Sequence, residues 1–204
     1  MSQAISSKPM LPLGVAVFCS GGGGNLKYLI DNLGGDYFTI KLVIVDKVCD
    51  ALNHAKRANI PHLLLSKVNQ KISYDLVFDN DLIDAIDVFI LAGFMPILPA
   101  CFIEEAKRKI IINTHPSLLP DYGGIGMYGV KVQEAVLKNK EQIAGCTVHY
   151  VTEDVDAGEI ISQKKLNVLP NETAWELGGR IFDLEGPNLI TALKLIYTSY
   201  TRVQ

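Results

Sequence analysis

Two side chains that could stabilise an oxyanion and move a proton lie close together in this sequence. Asn113 and His115 directly follow the apolar run Ile110–Ile112. In an extended chain residues i and i+2 point the same way, so this amide and this imidazole converge on one point. An amide donor beside a proton-transfer group suits a reaction that passes through an oxyanion. The remaining histidines are His54, His62 and His149. The first two are more typical of surface or packing positions, and His149, in a predicted strand, could be core or surface.

A glycine-rich turn, Ser20-Gly21-Gly22-Gly23-Gly24-Asn25, follows the short apolar run Leu13–Cys19 and precedes a helical pattern. Glycines let backbone N–H groups approach an anion closely, and the next helix presents its positive N-terminus. The turn therefore predicts a phosphate site. It lacks the Gly-Lys-Ser/Thr of a P-loop, and Leu26 takes the third glycine position of a dinucleotide fingerprint. A tight turn without a ligand is the alternative.

An acidic turn, Glu153–Glu159, contains four carboxylates. Its spacing is not that of an EF-hand, and strands flank it instead of helices, so no metal site is predicted. A solvated turn is the ordinary interpretation. A carboxylate from this turn could instead reach a histidine, hold one tautomer and stabilise the imidazolium. The spacing leaves Asp154 and Asp156 equally eligible for that role.

The elements that would position these residues alternate between strand and helix. Continuous apolar strands of this kind predict an α/β fold, a mostly parallel twisted sheet with helices on both faces. The last two strands are joined by Glu153–Glu159, which is too short for a parallel crossover, so they predict a C-terminal antiparallel hairpin. The predicted strands are Leu13–Cys19, Ile40–Asp46, His62–Leu65, Asp87–Ala92, Ile110–Asn113, Ala144–Thr152 and Ile160–Val168. The predicted helices follow the glycine turn and cover Ala51–Ala58, Asp75–Ile86, Pro99–Arg108 and Trp175–Tyr197, the last with a bend at Gly186-Pro187.

The composition excludes several classes of protein. The chain has 204 residues, 49% of them hydrophobic, which suits one domain with a sizeable core. No apolar run is long enough to span a membrane, and a net charge of −3 gives no footprint for nucleic acid. The four cysteines show no disulfide or zinc spacing. Residues 1–10 predict a disordered tail without signal-peptide features, and we expect a cytoplasmic protein without nucleic-acid or membrane partners.

Taken together, the motifs resemble those of the phosphoribosylglycinamide formyltransferases, folate-dependent enzymes of purine synthesis. The resemblance runs from about residue 13 to 195, nearly the whole chain. It is carried by the glycine turn, Leu91-Ala-Gly-Phe-Met95, Asn113-Thr-His-Pro-Ser-Leu-Leu-Pro120 and Val151-Thr-Glu-Asp-Val-Asp-Ala-Gly158, with Gly126-Met-Tyr-Gly129 similar to one branch. It implies a single Rossmann-like formyltransferase domain over 11–204.

The resemblance also implies roles for single residues. Asn113, His115 and Asp156 would be catalytic, which selects Asp156 over Asp154. Opposite charge on Asp156 is expected to raise the pKa of His115. The implied substrate contacts are Gly23, Gly24 and Asn25 for the phosphate, Glu185 for the ribose, and Met95, Pro96, Ile97, Leu98, Asn113, Asp154 and Val155 for the folate. The implied reaction moves a formyl group from 10-formyltetrahydrofolate, as co-substrate, to the amine of 5-phosphoribosylglycinamide, without a metal, in a monomer or homodimer.

Three positions depart from the family pattern. The family usually has Ser or Thr at Gly24, Arg at Pro96 and His at Gly186, so affinities or ligand pose are expected to differ. Three other functions stay open. A formyltetrahydrofolate deformylase has an extra N-terminal domain, and 12 residues precede the first predicted strand here. A methionyl-tRNA formyltransferase would have an additional basic C-terminal domain. A sugar formyltransferase would not need a phosphate loop of this kind. A non-catalytic phosphate-binding module would not need the Asn-x-His and Asp-x-Gly motifs.

Overall fold

The sheet at the centre of the fold has seven strands in the order β3-β2-β1-β6-β7-β8-β9. The computed structural model describes residues 12–68 and 71–202. Neighbouring strands of this order from β3 to β7 run parallel, whereas β8 pairs antiparallel with both β7 and β9. The strands are β1 Leu13–Cys19, β2 Phe38–Val45, β3 His62–Leu64, β4 Lys67–Val68, β5 Lys71–Ile72, β6 Val88–Leu91, β7 Ile110–His115, β8 Ile143–Tyr150 and β9 Ile160–Asn167. The predicted fold class is confirmed. The predicted tail, residues 1–10, lies outside the described residues.

The helices cover both faces of the sheet. They are α1 Gly24–Asn32, α2 Asp50–Arg57, α3 Asp75–Phe78, α4 Ala100–Glu105, α5 Val130–Lys138 and α6 Ala174–Arg202. Successive residues of β1 alternate between two buried clusters, as the pleat requires. Val15 and Val17 pack with α1, α2 and α6, whereas Ala16 and Phe18 pack with α3 and α4. The core therefore has two layers separated by the sheet, and both are strongly apolar.

The connectivity creates a crevice at the centre of the sheet. The chain runs outward from β1 to β3 on one side and then returns to β6 on the other side of β1. The carboxyl ends of β1 and β6 are where the strand order reverses, and ligands of open α/β sheets bind at such a point. Here Ser20 joins the two loops, because its Oγ accepts from Met95 N at 2.9 Å and its N donates to Gly93 O at 3.2 Å.

Several predicted helices have different boundaries in the structure, and the predicted helix Pro99–Arg108 is the shorter α4. The predicted helix Asp75–Ile86 is wrong as one element: α3 ends at Phe78, and a 3₁₀ turn covers Ile83–Ala85. The side chain of Asn80 explains the break, since its Oδ1 accepts from Leu82 N at 2.9 Å and so competes with the helical backbone. The last helix, α6, begins with a capping box in which Thr173 and Glu176 bond each other's backbone N–H groups, and it continues through Pro187.

Candidate active site

A cavity of about 930 Å³ opens at the carboxyl ends of β1, β6 and β7. Its walls are the glycine turn, the segment after β6, the residues after β7, the loop between β8 and β9, and the first turns of α6. The volume is in the upper range for small-molecule sites, which suits two ligands side by side. Each motif singled out from the sequence contributes to this one cavity. In the described part of the chain, no three His, Cys, Asp or Glu side chains are grouped so as to hold a metal ion.

The glycine turn is held from behind by α2. Ala51 N donates to Gly21 O at 3.2 Å, and His54 Nε2 donates to Gly22 O at 3.1 Å. In a trans peptide the N–H is opposite the carbonyl, so the N–H groups of Gly22 and Gly23 point away from α2. They join the N-terminus of α1 in a cluster of backbone donors suited to an anion. His54, predicted at a surface or packing position, thus fixes the orientation of this turn.

Gly23 is the residue of this turn whose backbone requires glycine. Its φ is 69°, in the left-handed region. A Cβ there would also lie 2.8 Å from Ala51 Cα. The turn therefore reaches its shape through one left-handed glycine packed against α2, and α1 starts at the next residue, Gly24.

Asn25 and Glu185 form a buried polar pair beside the glycine turn. Asn25 Nδ2 donates to Glu185 Oε2 at 2.5 Å, and Glu185 is 8% exposed. Burial raises the pKa of the Glu185 carboxyl to about 7, and the Asn25 hydrogen bond partly opposes that effect. The carboxyl therefore changes its charge near neutral pH. Both side chains line the cavity, where a ligand with hydroxyl donors would favour the ionised form.

Asn113, His115 and Asp156 meet in the wall of the same cavity. The first two lie on one face of β7, as their spacing predicted, and Asp156 reaches them from the loop between β8 and β9. His115 Nδ1 is 3.5 Å from Asp156 Oδ2, and Asn113 Nδ2 is 3.5 Å from Asp156 Oδ1. His115 Nε2 donates to Tyr122 O at 2.9 Å, so the neutral ring leaves Nδ1 unprotonated and facing the carboxylate.

The electrostatics of this cluster differ from the expectation. Burial lowers the pKa of His115, and this effect outweighs the attraction of Asp156 and the hydrogen bond to the Tyr122 carbonyl. Asp156 does raise the pKa of His115, as expected, but the net pKa is lowered, because the low dielectric around the ring disfavours the cation more than one carboxylate favours it. For Asp156, burial raises the pKa, but its contacts with the two histidines, His149 and His115, and with the Gly124 N–H together bring it below its ordinary value.

His149 belongs to this cluster, although its pattern alone left it open between core and surface. The antiparallel register of β7 and β8 places it opposite Asn113. Its Nδ1 donates to Tyr150 O at 2.8 Å, so in the neutral ring Nε2 accepts from Asn113 Nδ2 at 3.1 Å. His149 Nε2 is also 3.6 Å from Asp156 Oδ1. The signal in the sequence was the strand alternation of Cys146–Tyr150, but it identifies a partner only once the register is known.

The segment 116–124 holds both His115 and Asp156 in place. Tyr122 supplies the carbonyl for His115, and Gly124 N donates to Asp156 Oδ2 at 3.0 Å. Thr147, on β8, anchors the start of this segment: its Oγ1 donates to Ser117 O at 2.7 Å and accepts from Leu119 N at 3.0 Å. The geometry of the Asn113–His115–Asp156 cluster therefore depends on a buried network beneath the cavity.

The residues expected to contact a folate lie along the same cavity. All of them line it: Met95, Pro96, Ile97, Leu98, Asn113, Asp154 and Val155. Met95 and Ile97 are 55% and 62% exposed, an apolar surface suited to a flat ring system. Met95 N is already bonded to Ser20 and Pro96 has no N–H, so these two residues offer carbonyl oxygens rather than backbone donors to a ligand.

Gly186, one of the three departures, has a structural explanation. A Cβ at this position would lie 2.5 Å from Cγ of Tyr28. The Tyr28 ring on α1 therefore occupies the space that a side chain at position 186 would need. This contact brings α1 and α6 close together next to Glu185.

Comparison with known proteins gives matches along most of the chain. Residues 13–193 match the family model described as formyl transferase. A chloroplastic phosphoribosylglycinamide formyltransferase of Arabidopsis thaliana is 35% identical over 84% of this chain and 61% of that protein. The trifunctional purine biosynthetic protein adenosine-3 of Homo sapiens is 37% identical over 89% of this chain and 18% of that protein. The chain thus spans less than two thirds of the length of these curated relatives.

Solved structures give the same match over nearly their whole length. The phosphoribosylglycinamide formyltransferase from Anaplasma phagocytophilum is 35% identical with a TM-score of 0.82, covering 92% of this chain and 88% of that chain. The corresponding structure from Brucella melitensis is 32% identical with a TM-score of 0.79, covering 91% of this chain and 96% of that chain.

Proposed function

Since this chain belongs to the formyl transferase family, in its phosphoribosylglycinamide formyltransferase branch, we propose that it transfers a formyl group from 10-formyltetrahydrofolate to the amine of 5-phosphoribosylglycinamide, in de novo synthesis of the purine nucleotide IMP. The observation that carries this proposal is one cavity with a backbone anion site at one end and the Asn113–His115–Asp156 cluster in its wall. A phosphorylated amine bound at the turn would bring its nitrogen to that cluster.

The phosphate end of the substrate would bind to the glycine turn through Gly23, Gly24 and Asn25. Backbone N–H groups and the positive end of α1 supply the attraction. The ribose hydroxyls would donate to Glu185, whose ionised form accepts them best. Because burial raises the pKa of Glu185 to about 7, substrate binding and ionisation of this carboxyl favour each other.

The folate would lie against Met95–Leu98 on one side and Asp154 and Val155 on the other. The exposed apolar side chains of Met95 and Ile97 fit its ring system, and the carbonyls of this wall fit the amino and amide donors of a pterin. When bound, the folate supplies the formyl group. The protein holds it at Asn113, at the junction of the two halves of the cavity.

The reaction begins when the substrate amine attacks the formyl carbon and negative charge develops on the formyl oxygen. The amide of Asn113 carries two N–H donors, and the one toward Asp156 makes only a long contact of 3.5 Å, so it is available to that oxygen. One such donor contributes about 2.7–4 kcal/mol to lowering the barrier. His149 accepts from the same amide at 3.1 Å and fixes its orientation.

His115 and Asp156 move the proton. Because burial keeps the pKa of His115 low, the resting ring is neutral and can accept the proton that the attacking nitrogen must lose. Negative charge in the cavity then favours the imidazolium, whose two N–H groups find Asp156 and the Tyr122 carbonyl as acceptors. The proton leaves to the folate nitrogen when the carbon–nitrogen bond breaks. A water molecule at the Asp156 carboxylate would connect the two nitrogens.

The test is a formyl-transfer assay with 10-formyltetrahydrofolate and 5-phosphoribosylglycinamide. We expect stoichiometric formylation of the phosphorylated amine and a much higher KM for the same amine without its phosphate. Folate deformylation without transfer would indicate a deformylase. Binding of the amine without any turnover would indicate a phosphate-binding module.

The oligomeric state, monomer or homodimer, and the cytoplasmic location stay predictions. The described helices include none with the length and apolarity to cross a membrane.

A further inference from the structure

The Phe182 ring occupies the space next to Gly24 in the glycine turn. An ideal Cβ on Gly24 would lie 2.4 Å from Cζ and 3.0 Å from Cε1 of Phe182. Unlike Gly23, Gly24 has no left-handed φ, so its backbone does not require glycine. A side chain at position 24 would instead require the Phe182 ring to move away from the turn. The missing hydroxyl at this position is thus linked to the presence of Phe182.

Packing of the core does not account for this phenylalanine. Phe182 is 47% exposed, lines the cavity, and is absent from the hydrophobic clusters formed by the described residues. It lies one helical turn before Glu185 on α6, so both side chains face the same end of the cavity. Its Cζ and Cε1 atoms, which form the ring edge, are the atoms that approach the turn.

Building on the proposed function, we infer that Phe182 is a specificity-determining residue of the phosphate site. The edge of an aromatic ring carries partial positive charge, which suits a neighbouring anion. The ring also excludes water from one side of the turn, and hydrogen bonds from the backbone N–H groups are stronger where water is excluded. Phe182 would therefore favour phosphorylated over unphosphorylated amines without donating a hydrogen bond.

The kinetic test compares Phe182→Ala with Leu195→Ala, an equally exposed apolar side chain (48%) on the same helix that does not line the cavity. We expect Phe182→Ala to raise the KM for 5-phosphoribosylglycinamide about three- to tenfold, in line with the worth of one aromatic contact. The KM for the folate and kcat should stay within twofold, and discrimination against the unphosphorylated amine should fall by the same factor. Leu195→Ala should match the wild type.

The contact itself is tested by combining Phe182→Ala with Gly24→Ser. In the presence of the ring, the serine should raise the KM for the phosphorylated amine, because turn and ring must separate. In the Phe182→Ala background the serine no longer meets the ring. Its hydroxyl, as a new donor to the phosphate, should then lower the KM for the phosphorylated amine. An equal effect of the serine in both backgrounds, or a wild-type KM in Phe182→Ala, would overturn the inference.

Binding of ribose 5-phosphate, measured by calorimetry, separates this inference from the proposed reaction. If the wild type binds ribose 5-phosphate and Phe182→Ala binds it about three- to tenfold more weakly, the inference holds even if no formyl transfer is found. Equal affinity of the two proteins refutes the inference even if transfer is found. If thermal unfolding shows that Gly24→Ser does not fold, the ribose 5-phosphate affinities of the wild type and Phe182→Ala decide the inference alone.

Discussion

Replacing Glu185 by glutamine should make the protein more stable and its substrate binding weaker. Glu185 is 8% exposed and its direct partner is Asn25 Nδ2, a neutral donor. Glutamine has nearly the same shape, and its carbonyl oxygen can accept the same hydrogen bond. The substitution therefore removes a buried titrating group and leaves the packing and the hydrogen bond in place.

The size of the effect follows from the pKa. Burial raises the pKa of Glu185 from its ordinary value of 4.5 to about 7. The folded protein thus binds a proton that the unfolded chain has already released, so the stability contributed by this group is complete below pH 4.5 and is lost as pH rises through 7. The gap corresponds to about 3 kcal/mol. Glu185→Gln should gain that amount at pH 8, about 1 kcal/mol or less at pH 5, and nothing at lower pH.

Urea unfolding of both proteins at pH 5, 6, 7 and 8 measures the gain. Glu105→Gln, at an exposed position of α4, controls for the loss of one negative charge. The KM for the phosphorylated amine should rise about tenfold, because a hydrogen bond to a charged acceptor is replaced by a neutral one. Equal unfolding free energies of Glu185→Gln and the wild type at pH 8 would show that the buried carboxylate carries no penalty, and the reasoning would fail.

Three further predictions concern the catalytic cluster and the contact between α1 and α6. Asp156→Asn should lower kcat at least about 10²-fold while circular dichroism stays unchanged; wild-type turnover would exclude Asp156 from the chemistry. The pKa of His115, followed by NMR in the free protein, should lie below its ordinary 6.5 and should fall further in Asp156→Asn, and a value above 6.5 contradicts the burial argument. Gly186→Ala should cost about 1–3 kcal/mol in urea unfolding, because its Cβ would lie 2.5 Å from Tyr28 Cγ. Tyr28→Ala should relieve that cost, and equal costs in both backgrounds would disprove the contact.

The features that the sequence predicts well are those with a local cause. The glycine turn needs only a strand, a run of small residues and a helix. The convergence of Asn113 and His115 needs only the two-residue period of a strand. The break after Phe78 is local as well, but it depends on one Asn80 side chain bonding its own backbone, and the apolar periodicity of the surrounding residues conceals it.

The features that sequence patterns could not supply depend on register or on burial, except for one helix whose start is obscured locally. Helix α5 has Val132 and Val136 at helical spacing, yet the glycines before it obscure its start. The role of His149 follows from the pairing of β7 with β8, which no local pattern encodes. The net direction of the His115 pKa is hidden for the same reason: the attraction of Asp156 is visible in a motif, whereas the desolvation that outweighs it exists only in the folded molecule.

The order of the cluster along the chain has a consequence for protein synthesis. Asn113 lies in β7, whereas His149 and Asp156 follow 36 and 43 residues later. At about 5–20 residues per second, a ribosome needs roughly two to nine seconds to add 43 residues. During that interval the residues of the glycine turn and of the strands beside it have already been synthesised, but the partners of Asn113 have not. In a nascent chain of this protein the residues of the glycine turn are therefore made first, and the cluster around Asn113 can assemble only once the hairpin has emerged and paired with β7.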